Sequence, residues 1–300
     1  LANFDYQGLQ ITNLEMETSP PLRVLVRDDQ STDSTPLVLR HWAEDWSAIH
    51  LLPDDQQKRG ATGSFQHLIR TVRADEDSAP LVAFCDQDDE WLPEKLERAA
   101  QWHQDLGDPS QPALYCSRAR LANANLEPFG YSPLWPRSPS FPNALVENIA
   151  LGCTIVLNRA ALALLDHEWP PGVITHDWWA YLRIIGAGGV VHVDPEPSLL
   201  YRQHGRNAIG MASNPIGQFV NRVKRLSAGR MPALFGQAAA LQAVDDGALT
   251  PDAQAQLVRF LQLDRGGDYQ FSPLFSNAFH RQRRVDGVML RLMMAFGRIS

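Results

Sequence analysis

The sequence predicts an α/β protein, with a mostly parallel sheet flanked by helices over residues 1–210 and a helical extension over residues 211–300. Three observations lead to this prediction. Short apolar runs rich in β-branched residues alternate with segments whose apolar residues recur at helical spacing. Acidic or polar residues follow several of these runs, as is typical of the carboxyl edge of a sheet. After Ser213 only helical patterns remain.

Composition is that of an ordinary globular protein. The 300 residues are 44% hydrophobic and carry a formal net charge of −7, which argues against general nucleic-acid binding because that needs a basic surface. The three cysteines, Cys85, Cys116 and Cys153, form no C-x-x-C pair, so we expect reduced thiols in a cytoplasmic protein. No apolar run is long enough for a transmembrane helix, and no signal peptide is recognisable.

The strongest chemical signal follows the predicted strand Pro80–Phe84. Asp86, Asp88 and Asp89 stand close together directly after it. Neighbouring carboxylates repel one another unless a cation or sugar hydroxyls lie between them, and Mg²⁺ and Mn²⁺ prefer such oxygen ligands. Asp86 and Asp88 are therefore candidate ligands of a divalent metal ion. A solvated turn that caps the next helix is the alternative.

An earlier strand, Leu22–Val26, also ends in acidic residues. Asp28 and Asp29 follow it and precede a predicted helix over Pro36–Trp46. Carboxylates at this edge can accept hydrogen bonds from a nucleotide base or ribose, although side chains here also cap the helix. The next helix opens with Gly60–Ser64, where glycines let backbone N–H groups approach a phosphate. Alone, such a segment is more often only a loop.

Two polar clusters lie farther along the chain. Asp177 falls in the first turn of a helix predicted from Thr175 to Ile185, where it either caps the helix or acts as a general base. Trp178 and Trp179 beside it are candidates for a wall that holds an acceptor sugar. After the last predicted strand, Gly189–Val193, the chain contains two more candidates: the phosphate partner Arg202 and the metal ligand His204.

The remaining segments have weaker patterns. A helix is expected from Pro93 to Gly107, and strands are expected at Leu114–Cys116 and Asn148–Asn158. Gly152 in the last of these suggests a close approach to a ligand. The proline-rich segment 128–142 has four aromatic residues and is either a substrate lid or a loop anchored to the body.

Two basic amphipathic segments are predicted in the extension. Apolar residues form one face over residues 216–226, and a second such face spans residues 285–299. Helices of this kind lie on anionic membranes or pack against their own domain, and both interpretations stay open. Peripheral contact with the inner face of the plasma membrane is therefore one expectation.

Six segments together resemble the inverting family 2 glycosyltransferases, which have the Rossmann-like GT-A fold, and are most similar to their rhamnosyltransferase-like branch. In order they are VLVRDDQSTDST, GATGSFQHLIR, FCDQDDEWLPEKL, NIALGCTIVLNRAAL, THDWW and YRQHGRNAIG. The resemblance covers roughly residues 1–210. It implies a dTDP- or UDP-sugar donor, a saccharide or lipid-linked acceptor, a Mg²⁺ or Mn²⁺ ion and a role in making surface polysaccharides.

The resemblance also implies a role for individual residues. Asp177 would be the catalytic base, and Asp88 would bind the metal with His204. The implied donor-binding residues are Asp28, Asp29, Gly63, Ser64, Asp86 and Arg202, and the implied acceptor-binding residues are Trp91, Trp178 and Trp179. Two departures stand out: Ser64 replaces an Asn of many relatives, and the family's first strand survives at best as Tyr6-Gln7-Gly8.

Two other functions are compatible with these residues. A degenerate glycosyltransferase domain would bind a nucleotide sugar or a glycan without transferring it, and the weak first strand favours that alternative. A metal-dependent phosphohydrolase is suggested by the His176-Asp177 pair, but the further His ligands that such an enzyme needs are not recognisable.

Overall fold

The computed structural model describes residues 23–74, 79–203, 230–244, 246–265 and 278–296. The strands in these ranges are β1 Val24–Val26, β2 Ile49–Leu51, β3 Leu81–Ala83, β4 Glu90–Trp91, β5 Ala113–Ala122, β6 Pro128–Tyr131, β7 Val156–Asn158 and β8 Val190–Arg202. The helices are α1 Thr35–Asp45, α2 Gly60–Ala74, α3 Lys95–Leu106, α4 Phe141–Ala144, α5 Arg159–Ala163, α6 His176–Gly186, α7 Arg230–Val244, α8 Pro251–Arg265 and α9 Arg284–Phe296. A 3-10 turn spans Gly152–Thr154.

The strands form two sheets, and the predicted α/β class is confirmed. β1 and β2 pair as one parallel sheet. The second sheet has the order β3-β7-β5-β8-β4, with β6 also paired to β5. Within the described ranges only β1–β2 and β5–β8 are parallel, so the pairing is mixed rather than mostly parallel. A turn as short as that between β5 and β6 cannot cross over the sheet, so those strands must be antiparallel.

Several predicted boundaries move in the structure. α3 ends before Gly107, whose φ of +76° is a left-handed helix cap. The strand predicted over residues 148–158 is wrong in its first part, because Gly152–Thr154 forms a 3-10 turn and only β7 is extended. The segment predicted as a loop, residues 128–142, contains β6 and the start of α4.

The main apolar core is shared between the sheet and the helices of the extension. Leu114 and Leu157 of the sheet belong to the same buried cluster as Phe235, Phe260 and Leu290 of α7, α8 and α9. The predicted division at residue 210 falls outside the described residues and stays a prediction. The residues of α7, α8 and α9 nevertheless belong to the same buried cluster as those of α6.

Helix α9 overlaps residues 285–299, one of the two segments predicted either to bind a membrane or to pack against the protein. Leu290 and Met294 are buried in the main core, so one face packs against the protein. Val285, Val288 and Leu292 are exposed on another face. The other predicted helix, over residues 216–226, lies outside the described residues. None of the described helices is both long and apolar enough to cross a membrane.

Candidate functional site

The acidic loop between β3 and β4 forms a buried cluster with the 3-10 turn. Carboxylate oxygens of Asp86 and Asp89 and the Cys153 sulfur all lie within 4.8 Å of one another. Asp89 Oδ1 accepts a hydrogen bond of 3.0 Å from the Arg202 amide. Its Oδ2 is buried and has no hydrogen-bond partner among the described residues. The cluster thus contains a buried carboxylate oxygen that can accept a hydrogen bond or ligate a cation.

Negative charge is concentrated in this cluster. Burial raises the pKa of Asp86 to about 7, and the carboxylates of Asp88 and Asp177 act in the same direction. Burial also raises the pKa of Asp89 to about 8, with Asp86 and Asp88 adding to it, although the Arg202 amide opposes the shift. The charges of the acidic loop and of Asp177 therefore act on one another. Such a site favours a proton or a cation.

A buried lysine, Lys95, lies beside these carboxylates. Its Nζ donates a 2.7 Å hydrogen bond to the Cys153 carbonyl and lies 3.4 Å from the centroid of the Trp91 ring. Burial lowers the pKa of Lys95 to about 8, an effect that Asp89 and Asp86 partly oppose. Sequence reasoning missed this residue. The sequence feature that could have identified Lys95 is a lysine in the first turn of a predicted helix, where the helix dipole disfavours positive charge.

The oxygen donors fit a hard divalent ion. A half-buried carboxylate (Asp86) and a buried one (Asp89), the latter with an oxygen that makes no hydrogen bond to the described residues, are the ligand type that Mg²⁺ and Mn²⁺ prefer. The Cys153 thiol is a softer ligand that these ions do not select. The predicted ligand Asp88 acts on the same site through its charge, whereas His204 lies outside the described residues. The structure adds Asp89 to the predicted set.

Asp177 lies in the first turn of α6, a helix that is buried along most of its length. Its Oδ1 accepts a hydrogen bond of 2.7 Å from the Trp178 amide. The ring of His176 stacks on Phe65 with 3.8 Å between centroids. A Cβ atom at Gly152 would lie 3.0 Å from His176 Nε2 and 3.3 Å from Asp177 Cβ. Gly152, which the sequence suggested would approach a ligand, lies against the candidate base in the structure.

The predicted donor edge is organised by Arg27, which sequence reasoning did not select. Its guanidinium donates to Asp29 at 2.6 Å and to Ser64 Oγ at 2.9 Å. Asp29 also accepts from the amides of Arg59 at 2.7 Å and Gly60 at 2.9 Å, at the start of α2. Burial alone would raise the pKa of Asp29, but these hydrogen bonds outweigh it and lower the pKa.

The other predicted donor residues lie in the same region. Asp28 accepts hydrogen bonds from the Ser31 amide at 3.1 Å and from its hydroxyl at 2.5 Å, so it closes its own turn. Gly63 and Ser64 are in the first turns of α2. The carboxylates after β1 therefore shape the loop and the start of α2 that would face a donor. The predicted N-cap hydrogen bond of the following helix is not seen, since Ser34 at the N-cap of α1 makes no side-chain cap hydrogen bond.

Arg202 connects the acidic loop to the turn between β5 and β6. Its Nε donates to the Asp88 carbonyl at 2.8 Å, and an Nη donates to the Ala124 carbonyl at 2.7 Å. The predicted phosphate partner thus lies at the acidic site. Its described contacts are to backbone oxygens, so it fixes the relative positions of two loops.

The three tryptophans predicted to bind the acceptor are packing residues. Trp179 is fully buried, and the Trp178 indole N–H donates to the Ala144 carbonyl inside the main core. Trp91 is buried in a smaller cluster and is covered by Lys95. The acceptor-wall prediction is wrong for these rings, because the core buries Trp178 and Trp179 and Trp91 is buried beneath Lys95, so no ring face is open to a sugar.

Comparisons with known proteins place this site in a family. The model of glycosyl transferase family 2 matches residues 10–161. A dTDP-rhamnosyl transferase of Shigella flexneri, RfbG, is 24% identical over 213 residues, which cover 67% of this chain and 69% of RfbG. An uncharacterized protein of Mycobacterium tuberculosis is 24% identical over 191 residues, 62% of this chain. That match covers 51% of the relative, so the chain spans about half of its length.

A solved structure shares the fold. The crystal structure of S. aureus TarS 1-349 in complex with UDP superposes with a TM-score of 0.50 over 95% of this chain and 85% of that one, at 13% sequence identity. The family model matches just over half of the chain and includes the acidic loop and the 3-10 turn. The chain therefore belongs to glycosyl transferase family 2 and has the GT-A fold.

Proposed function

We propose that the protein transfers a sugar, with rhamnose the first candidate, from a nucleoside-diphosphate donor to a saccharide or lipid-linked acceptor in surface polysaccharide synthesis. The reaction inverts the anomeric configuration and uses a divalent metal ion. The observation that carries this proposal is geometric: Gly152 lies against Asp177, and the next residue, Cys153, lies within 4.8 Å of the carboxylate oxygens of Asp86 and Asp89. The name of the Shigella relative supports rhamnose as the transferred sugar, and the UDP in the TarS complex supports a nucleoside-diphosphate donor.

Asp177 is the base in this mechanism. Its carboxylate takes the proton from the acceptor hydroxyl while that oxygen attacks the anomeric carbon from the face opposite the leaving diphosphate. One displacement inverts the configuration, and no covalent intermediate forms. The buried helix α6 and the contact with Gly152 keep the carboxylate in one position, which is what an oriented base needs.

The acidic loop would hold the metal through Asp86, Asp88 and Asp89. When bound, a divalent ion supplies positive charge that neutralises the departing diphosphate. Gly63 and the Ser64 hydroxyl, in the first turns of α2, would lie beside the same donor. Arg27 and Asp29 hold that helix start in place.

Helix α9 is the part of the extension that would touch an anionic membrane surface. Val285, Val288 and Leu292 form an exposed apolar stripe, and Arg283 and Arg284 are exposed at its start. Apolar residues flanked by cations are typical of helices that lie in the headgroup region. Co-sedimentation with phosphatidylglycerol vesicles tests this, and equal recovery with phosphatidylcholine vesicles would contradict it.

A donor screen tests the enzyme proposal. We expect Mn²⁺ with dTDP-rhamnose, UDP-glucose or UDP-galactose to raise the melting temperature of the protein. Asp88→Ala should abolish Mn²⁺-dependent donor hydrolysis and transfer. Asp177→Asn should keep the donor-induced stabilisation and lose transfer. Stabilisation without turnover in the wild type would favour a binding module, and no stabilisation by any donor or nucleotide would contradict both.

A further inference from the structure

Exposed apolar side chains are concentrated on and after strand β6. Phe129 is 44% exposed, Tyr131 is 52% exposed and Leu134 is 54% exposed. In the described part of the chain, most side chains of this size are buried or partly buried. Clustered apolar surface of this kind commonly marks an interaction site. The proline-rich segment that the sequence suggested as a sugar-binding loop contains these residues.

The β5–β6 hairpin holds the Tyr131 ring in place. Tyr131 is paired with Arg120 across the β5–β6 ladder, so both side chains project from one face. The Arg118 guanidinium lies 5.0 Å from the centroid of the Tyr131 ring. Arg118 also donates two hydrogen bonds, of 3.0 and 2.8 Å, to the Ser132 carbonyl. We call Arg118, Arg120, Phe129 and Tyr131 the hairpin platform.

The β5–β6 hairpin that carries the hairpin platform is connected to the acidic loop by hydrogen bonds. Arg202 joins them, because it donates to the carbonyl of Asp88 in the acidic loop and to that of Ala124 in the β5–β6 turn. The strand order β4-β8-β5 with β6 beyond it places β6 three strand spacings from β4, or about 14 Å. The sugar that receives the new bond must lie at the acidic site and Asp177. The hairpin platform is therefore in reach of later units of the same acceptor.

We propose that the hairpin platform binds the acceptor glycan beyond its reacting sugar, so that the acceptor is an oligosaccharide rather than a monosaccharide. This inference rests on the proposed transferase function. Aromatic rings offer apolar faces on which the C–H faces of sugars pack, and guanidinium N–H groups donate to hydroxyls. The mixture of rings and cations next to a glycosyl-transfer site matches a glycan better than a purely apolar partner.

The test compares acceptors of two lengths. The probes are methyl glycosides and tetrasaccharides of rhamnose, glucose, galactose and N-acetylglucosamine, printed on an array and then used in transfer assays. The wild type should bind at least one tetrasaccharide more tightly than its methyl glycoside. In the double variant Phe129→Ala, Tyr131→Ala, we expect the KM for that tetrasaccharide to rise about 10-fold, with kcat and the KM for the donor unchanged.

Controls separate this inference from general damage. Tyr131→Phe keeps the ring and should behave as the wild type, as should Val258→Ala, which removes an exposed apolar side chain from α8. Mn²⁺-dependent donor hydrolysis without acceptor should be equal in all variants. If hydrolysis and donor binding are present but the wild type shows no length preference, or the double variant binds tetrasaccharide normally, the inference is overturned. If the wild type neither binds nor hydrolyses any donor, the proposed function itself fails.

Discussion

Gly152 lies directly against Asp177, and the absence of a side chain at residue 152 makes that contact possible. A Cβ atom there would be 3.3 Å from Asp177 Cβ and 3.0 Å from His176 Nε2. These distances are tighter than ordinary contacts between a methyl group and its neighbours. Since α6 is buried around Asp177, the displaced group cannot simply turn toward solvent.

Gly152→Ala should therefore impair chemistry more than folding. The new methyl group would push the carboxylate of Asp177 away from its position, and a misplaced base costs about 10- to 100-fold in kcat. Steady-state transfer kinetics should show this loss with the KM for the donor little changed. Gly236→Ala is the matched control, because a Cβ there meets nothing within 4 Å. Equal kcat values for the two variants would contradict the contact's importance.

Lys95→Met tests the buried cation. The substitution leaves the Cys153 carbonyl without its 2.7 Å hydrogen bond and the nearby carboxylates without a positive neighbour. Removal of one buried charged partner typically lowers the free energy of unfolding by about 3 kcal/mol. Urea denaturation measures this change. The exposed Lys58→Met should change stability by less than about 0.5 kcal/mol, and a similarly small effect at Lys95 would refute the charge-balancing role.

Arg27→Lys tests the donor edge. Arg27 is nearly buried and joins Asp29, Ser64 and Asp55, and the single ammonium of lysine cannot reproduce this fork of hydrogen bonds. We expect a loss of about 2 kcal/mol in the free energy of unfolding and weaker binding of nucleoside diphosphates by isothermal titration calorimetry. Arg40→Lys, at an exposed position of α1, is the control. Unchanged nucleotide affinity in Arg27→Lys would show that this loop does not face the donor.

Metal binding should strengthen as the pH rises. The pKa values of Asp86 and Asp89 are raised to about 7 and about 8, so a metal ion must displace protons at neutral pH. Calorimetry should give at least about 10-fold tighter Mn²⁺ binding at about pH 8 than at about pH 6. Asp89→Asn should reduce this dependence. Affinity that does not change with pH would mean that the ion binds elsewhere.

The same shifts set the pH dependence of the metal-free protein. Both folded pKa values lie above the ordinary carboxyl value of 3.8, so the folded state holds these protons more tightly than the unfolded chain. The stabilising contribution is complete below about pH 4 and is lost as the pH rises through about 7 to 8. Thermal unfolding without metal should show this decline, and added Mn²⁺ should offset it. A melting temperature that is flat across this range would argue against the buried charge.

The sequence allowed the acidic loop and Asp177 to be assigned to one site because each follows a recognisable element: a strand for the loop and a helix start for Asp177. It did not reveal Lys95 or Arg27, since Lys95 bonds the distant Cys153 carbonyl and Arg27 joins its neighbour Asp29 to the distant side chains of Asp55 and Ser64. Trp179 was misassigned because an aromatic residue beside a candidate base has the same pattern whether its helix is enclosed or exposed. Strands as short as β2 and β4 are fixed by pairing and not by local preference.

The helices after residue 230 have a consequence for how this protein could have diversified. Phe235, Phe260 and Leu290 fill the same interior as the sheet, and Gln282 is hydrogen-bonded to Glu147 and to the Arg137 amide. Exchange of the carboxyl-terminal part between relatives by recombination would therefore leave cavities or clashes around α6 unless matching apolar surface came with it. Substitutions in the two parts of the chain should therefore be coupled in evolution. Chimeras that join two relatives at residue 210 should have a lower free energy of unfolding than either parent.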